Sequence, residues 1–351
     1  MNSALNCPGP VSRRSLLTAG LFGLSNLSLG GLLRARAAAA VSPPQTSCIL
    51  VWLVGGQSHL ETYDMKPNAP REIRGDFSPI RTNVSGLDVC ELLPRHAQIA
   101  DKFSLIRSFE HTFPGHVDGA QMVLTGHPPK GVNPTIIVPD FPDLGCVYKA
   151  VTPARKNGLP QNIAVRNELY YAGPAYLGPA NSSCVIPTRT ANKTDFYLPS
   201  LDVPVNQVGR LDSRMALRKS FDRLQRNIDG SGMMSAMDQF DTEAVRMLTG
   251  SQAQKAFDLG SVDPRTRDRY GHSLFGQGLL LARRLVEAGV GFVSVDGGWF
   301  QDVHPLLSDN WDDHETSRNI FDAQKLRLPA YDQGVTALIN DLYQSGMDRD
   351  V

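Results

Sequence analysis

The sequence has no excess charge of either sign and few cysteines, and both shortages narrow the range of functions. Among 351 residues, 35 lysines and arginines balance 35 aspartates and glutamates, so the basic excess of a nucleic-acid-binding protein is missing. Five cysteines are too sparse for a disulfide scaffold, and no CxxC spacing indicates a zinc ribbon or a redox motif. The Gly-x-Ser-x-Gly and HExxH patterns are also absent, which excludes an ordinary α/β-hydrolase and a zincin-type protease.

The charges that are present are unevenly distributed, because no acidic residue precedes Glu61. Arg13 and Arg14 stand before a weakly apolar, glycine-interrupted stretch and a run of alanines, so residues 1–40 are predicted to be a twin-arginine-type signal peptide. An ordinary secretory signal or an uncleaved anchor is the alternative. We therefore expect an exported protein of the periplasm or cell envelope, with no stable membrane span after cleavage and no nucleic-acid partner.

Cleavage would remove four arginines and Cys7, leaving a mature part with a net charge of about −4. An even number of cysteines in an oxidising compartment permits two disulfides, but buried free thiols explain the same sequence equally well. The four cysteines concerned are Cys48, Cys90, Cys146 and Cys184.

Apolar patterning predicts an α/β fold, because short buried strands alternate with amphipathic helices. Strands are predicted at residues 48–54, 103–107, 163–165 and 291–296. Helices are predicted at residues 91–101, 116–124, 143–151, 274–288 and 329–344, with a helical hairpin within 211–258. The order indicates a three-layer sandwich with a mainly parallel sheet over residues 41–351, interrupted by a loop-rich and helical excursion at about 169–258.

Polar loops follow the predicted strands, and the carboxyl ends of parallel strands are where open α/β sheets bind ligands. After the first strand, paired glycines precede His59, Glu61 and Asp64, which could reach a cation. After the second, His116 and Asp118 begin a helix, whose free N–H groups favour an anion. The alternatives are a tight turn with solvated side chains in the first case and a helix cap with an exposed histidine in the second.

The densest set of candidate ligands follows the last predicted strand, in the segment Trp311-Asp-Asp-His314. Asp312 and His314 combine a carboxylate with an imidazole, the usual donors for Zn²⁺, Mn²⁺ or Fe. Acidic residues also cap helix starts, so capping is the competing explanation. The sequence favours a metal site here over a cap.

Several motifs together resemble an exported bacterial family, the domain of unknown function 1501. They are Leu53-Val-Gly-Gly-Gln-Ser-His-Leu-Glu-Thr-Tyr-Asp-Met-Lys-Pro67, Glu91-Leu-Leu-Pro94, Leu124-Thr-Gly-His127, Asp268-Arg-Tyr-Gly271 and Trp311-Asp-Asp-His314. That family is similar to the alkaline-phosphatase and sulfatase superfamily, whose members bind one or two metals at strand ends and cleave phosphate or sulfate esters. The resemblance therefore implies an alkaline-phosphatase-like sheet and a divalent metal, which could be Zn, Mn, Ca or Fe.

Carried over residue by residue, the resemblance implies a catalytic position at His116, which is neither Ser, Thr nor Cys, so that water would attack directly. The expected metal ligands are Asp312, His314, His59, Asp118 and Asp64, of which the resemblance supports Asp312 and His314 best. The expected substrate is a small-molecule or polysaccharide ester. The alternatives are a non-catalytic binding or surface protein that keeps the hydrolase fold, and an envelope-associated partner that uses the 169–258 excursion as its contact surface.

The resembled family normally continues beyond the last predicted helix with another strand and an Asp-His pair. This chain stops at Val351. The resemblance therefore implies a domain that is incomplete at its C-terminus and lacks part of its metal site.

Overall fold

The computed structural model describes residues 46–130, 139–155, 157–188, 190–193, 213, 217, 233–298, 300–313 and 319–351. Its strands are β1 (Cys48–Trp52), β2 (Pro79–Arg81), β3 (Asp88–Cys90), β4 (Asn162–Val165), β5 (Cys184–Ile186) and β6 (Phe292–Asp296). Its α-helices are α1 (Arg71–Arg74), α2 (Pro94–Gln98), α3 (His116–Thr125), α4 (Leu144–Val151), α5 (Met233–Thr249), α6 (Ser251–Phe257), α7 (Pro264–Tyr270), α8 (Leu274–Glu287) and α9 (Ile320–Gln344). Short 3₁₀ turns lie at Ala100–Lys102, Ala175–Leu177, Pro179–Asn181 and Met347–Arg349.

The main sheet has four strands in the order β1-β6-β4-β5, and all three pairings are parallel. Strand β6 lies between two partners, pairing Phe292 with Cys48 on one side and with Asn162 on the other. All five of its residues are buried, which explains why its sequence is mainly apolar, with Ser294 as the one polar residue before Asp296. The predicted α/β class with a mainly parallel sheet is confirmed.

Helices cover both faces of this sheet. Alternate residues of a strand point to opposite faces: Phe292 contacts Gly145 of α4, whereas Val295 contacts Gly278 of α8. Helix α9 packs on the outside of α8. The buried side chains of α8, the four-stranded sheet and α9 form one continuous apolar core.

Some local predictions were wrong. Residues 103–107 form no strand; Phe103 is extended but has no strand partner. Strand β5 was missed because three residues at a sheet edge are too few to show a pattern of apolar residues. Pro329, which was predicted to begin the last helix, lies inside α9. The antiparallel β2–β3 pair was also missed.

The four described cysteines are free thiols. Burial raises the pKa of Cys90 and of Cys184 to about 11, so both stay protonated near neutral pH. Separately, no helix in the described ranges has the length and apolarity needed to cross a membrane.

Candidate active site

A cavity of about 440 Å³ opens where the carboxyl end of β1 meets the N-terminus of α3. The segment Trp52–Gly56 forms one side and the first turns of α3 another. The loop that follows β6 contributes Asp309, Asn310 and Asp312. This is the edge of a parallel sheet at which ligands bind in open α/β proteins.

Two backbone segments approach closely at this edge, and Gly55 makes the approach possible. The Trp311 N–H donates to the Val54 carbonyl at 2.7 Å, which joins the loop after β6 to the loop after β1. Gly55 has a φ of 95°, and a Cβ atom placed there would lie 2.7 Å from the Asp312 nitrogen. Any larger residue would therefore push the loop that carries Asp312 away from the cavity.

The fold brings His116 and Asp312 together although 196 residues separate them in the chain. Their Nε2 and Oδ2 atoms lie 2.8 Å apart, at hydrogen-bond distance. The His116 side chain is 49% exposed and that of Asp312 is 23% exposed, so both remain accessible from the cavity. The resulting imidazole–carboxylate pair can exchange and stabilise a proton.

A buried arginine holds the loop that carries Asp312. Arg327 of α9 and Asp313 are both 0% exposed and form a two-point ion pair, in which Nη2 donates to Asp313 Oδ1 at 3.1 Å. Nη2 also donates to the Asn310 carbonyl at 2.9 Å. The guanidinium lies 4.8 Å from the centre of the Trp311 ring and 5.7 Å from that of Phe300, which suits a cation–π contact. Arg327 was missed in the sequence, because an arginine on a helix ordinarily indicates a solvated face.

Other predicted site residues lie in local interactions of their own. Asp118 Oδ1 accepts the N–H of Gly119 at 2.9 Å within the first turn of α3. Asp64 lies 2.6 Å from Lys66 Nζ and 3.8 Å from Arg107 Nε. The hydrogen bond from Lys66 holds the pKa of Asp64 below its usual value.

Two further predicted residues that the structure describes do not join the His116–Asp312 pair. His59 is exposed and does not line the cavity. Glu61 is buried and accepts a hydrogen bond from Ser58. His314, the other half of the predicted Asp–His ligand pair, lies outside the described residues.

Among the described residues, no three His, Cys, Asp or Glu side chains are grouped so as to hold a metal ion. Catalytic zinc sites usually have three protein ligands, and the described part of this site brings two donors of the right chemistry into contact, on His116 and Asp312. The predicted metal therefore stays a prediction, with Asp312 and His314 as its expected ligands.

Aromatic side chains line much of the rest of the cavity, and the sequence reasoning missed this. They are Trp52, Phe113, Tyr170 and Tyr171. Tyr171 has a φ of 62°, in the left-handed region that non-glycine residues rarely occupy. Such strain is held by the surrounding structure and gathers at functional sites. The adjacent tyrosines, in a loop rich in glycine and proline, were the available signal.

The fold and the cavity define an α/β protein with a candidate ligand-binding site at the carboxyl ends of parallel strands. The family model described as Protein of unknown function (DUF1501) matches residues 45–351, so the chain belongs to this family. Comparisons with curated proteins and with solved structures gave no match.

Proposed function

We propose that this chain is a metal-dependent hydrolase of phosphate or sulfate esters and that the reaction takes place in the cavity beside His116. The observation that carries the proposal is the 2.8 Å contact between His116 Nε2 and Asp312 Oδ2. The contact lies at the first residue of α3, and an imidazole–carboxylate pair of this kind is chemically able to transfer a proton. The free N–H groups of that helix end favour the negative charge of a phosphate or sulfate group.

In the proposed reaction, water attacks the phosphorus or sulfur atom while the His116 imidazole takes up the proton that the water loses. The Asp312 carboxylate stabilises the imidazolium that results. The bond from phosphorus or sulfur to the alcohol oxygen breaks, and the same proton passes to that oxygen, so that the alcohol leaves neutral. A divalent metal at Asp312 and His314 would stabilise the charge that develops on the ester oxygens.

The test is hydrolysis of 4-nitrophenyl phosphate and 4-nitrophenyl sulfate by the purified protein, with Zn²⁺, Mn²⁺, Ca²⁺ or Fe²⁺ added in turn. We expect His116→Ala and Asp312→Asn each to lower kcat by about 10²–10⁴-fold, the usual contribution of acid–base catalysis. The matched control is His272→Ala. His272 also pairs with an aspartate, Asp268, at 2.7 Å, but it lies outside the cavity lining. The proposal would be contradicted if neither ester were hydrolysed with any of these metals, or if His272→Ala lowered kcat as much as His116→Ala.

A non-catalytic binding protein is the second candidate, and the aromatic lining of the cavity favours it. Tyr170 is 48% exposed beside the cavity, and exposed aromatic rings commonly contact ligands. The two functions differ in one result. If the chain is a binding protein, the wild type does not hydrolyse either ester, and His116→Ala changes only the affinity for the ligand.

We further propose that the protein is exported through the twin-arginine pathway and that its sheet has the alkaline-phosphatase arrangement. The motif at Arg13 and Arg14 and the parallel sheet with helices on both faces support these two points. Export is tested with Arg13→Lys/Arg14→Lys, which should leave the unprocessed protein in the cytoplasm. Unchanged processing and export of this variant would exclude the pathway.

A further inference from the structure

The charges around the cavity are unusual for a site that takes an anionic ester. Among the described lining residues there is no lysine or arginine, whereas two are aspartates, Asp309 and Asp312. Asp312 pairs with His116. Asp309 is exposed and has no ionic partner in the part of the chain that the structure describes. An unpaired carboxylate at the rim attracts a positive charge.

The aromatic residues favour the same charge. The Tyr170 and Tyr171 rings lie 6.0 Å apart, and Phe113 and Trp52 also line the cavity. The face of an aromatic ring is negative, so rings grouped with carboxylates bind quaternary and other substituted ammonium groups. A neutral sugar ring would also stack on such rings, but it would gain nothing from the charge of Asp309.

We propose that the cavity binds a substituted ammonium group, and that the hydrolysed ester is formed by an alcohol that carries this cation. The identity of the ester rests on the proposed function. Binding of the ammonium group does not, because the alcohol alone contains that group and has no ester bond. The cation would contact the rim carboxylate of Asp309 and the ring of Tyr170, with its alcohol oxygen toward His116.

The experiment measures binding of choline by calorimetry and compares it with 3,3-dimethylbutan-1-ol, which has the same shape and no charge. We expect choline to bind the full-length protein at least tenfold more tightly than the neutral alcohol. Asp309→Asn should reduce this preference about fivefold or more. Asp348→Asn, which changes an exposed aspartate outside the cavity lining, should leave it unchanged.

Two tyrosine variants separate the ring from its hydroxyl. Tyr170→Phe should keep choline affinity within about twofold, whereas Tyr170→Leu should weaken it about tenfold, as loss of a cation–π contact does. Circular dichroism of each variant checks that it is folded. If Tyr170→Leu does not fold, Asp309→Asn still tests the cation site, because Asp309 is exposed.

The outcomes separate this inference from the proposed hydrolase activity. Choline binding without ester hydrolysis would support the cation site and contradict the hydrolase. Equal affinity for choline and the neutral alcohol, tighter binding of methyl glucoside, or no binding of choline would each overturn the cation site, even if ester hydrolysis were found.

Discussion

Replacement of Arg327 by methionine tests whether one buried ion pair holds the loop of the candidate active site. The change keeps most of the side-chain volume but leaves the Asp313 carboxylate, at 0% exposure, without its partner. Breaking a buried pair on one side costs about 3–5 kcal/mol of folding free energy, because an uncompensated charge stays inside the protein. We expect a loss of this size in Arg327→Met.

Urea unfolding followed by tryptophan fluorescence gives this free energy, and two further variants provide controls. Arg71→Met removes an arginine that is 81% exposed and lies 3.9 Å from Asp76, itself 53% exposed, so it should cost no more than about 1 kcal/mol. Arg327→Met combined with Asp313→Asn removes both buried charges and should recover much of the loss. A single-variant loss below about 1 kcal/mol, or a double variant no more stable than Arg327→Met, would refute the reasoning.

Three more predictions concern positions around the core and the cavity. Gly55→Ala should lower ester turnover, and in urea unfolding it should destabilise the protein more than Gly56→Ala does. Both glycines have a φ of 95°, but only a Cβ at Gly55 would meet other atoms. Equal effects of the two substitutions would contradict this. Asp332→Ala should cost about 2 kcal/mol or more in the same assay, since Asp332 accepts the backbone N–H of His96 and contacts its ring nitrogen at 2.6 Å. Burial, and to a smaller extent the charge of Asp143, raise the pKa of Glu168, so its charged form destabilises the folded protein at pH 7. Glu168→Gln should therefore raise the melting temperature at pH 7 and have no effect at pH 3, where the carboxyl is protonated in both the folded and unfolded states. An equal gain at both pH values would contradict this.

The strands that the sequence predicted correctly are short runs of mainly apolar residues. Strands β1 and β6 begin at or within a residue of the predicted starts for this reason. Residues 103–107 have the same local pattern but find no neighbouring strand, and pairing is a tertiary event that a single sequence does not report. Helix α9 begins nine residues before Pro329, although proline ordinarily predicts a helix start or end.

The candidate site shows the same division between local and tertiary information. Residue chemistry was enough to select His116 and Asp312, and the structure places them in contact. Arg327 could not be selected, because its burial depends on Asp313 and two aromatic rings that only the folded chain brings around it. The exposed rim residue Asp309 carries no periodic pattern, so only the cavity reveals it.

The position of β6 in the sheet has a consequence for how the chain folds during synthesis. Strands β1 and β4 have no pairing with each other, and each requires β6 between them, although β6 begins only at Phe292. A nascent chain has therefore made 291 residues before β6 begins and these strands can be joined. Such long-range pairing slows folding and leaves apolar strand edges unpaired meanwhile. We expect the emerging chain to depend on chaperones until that strand leaves the ribosome.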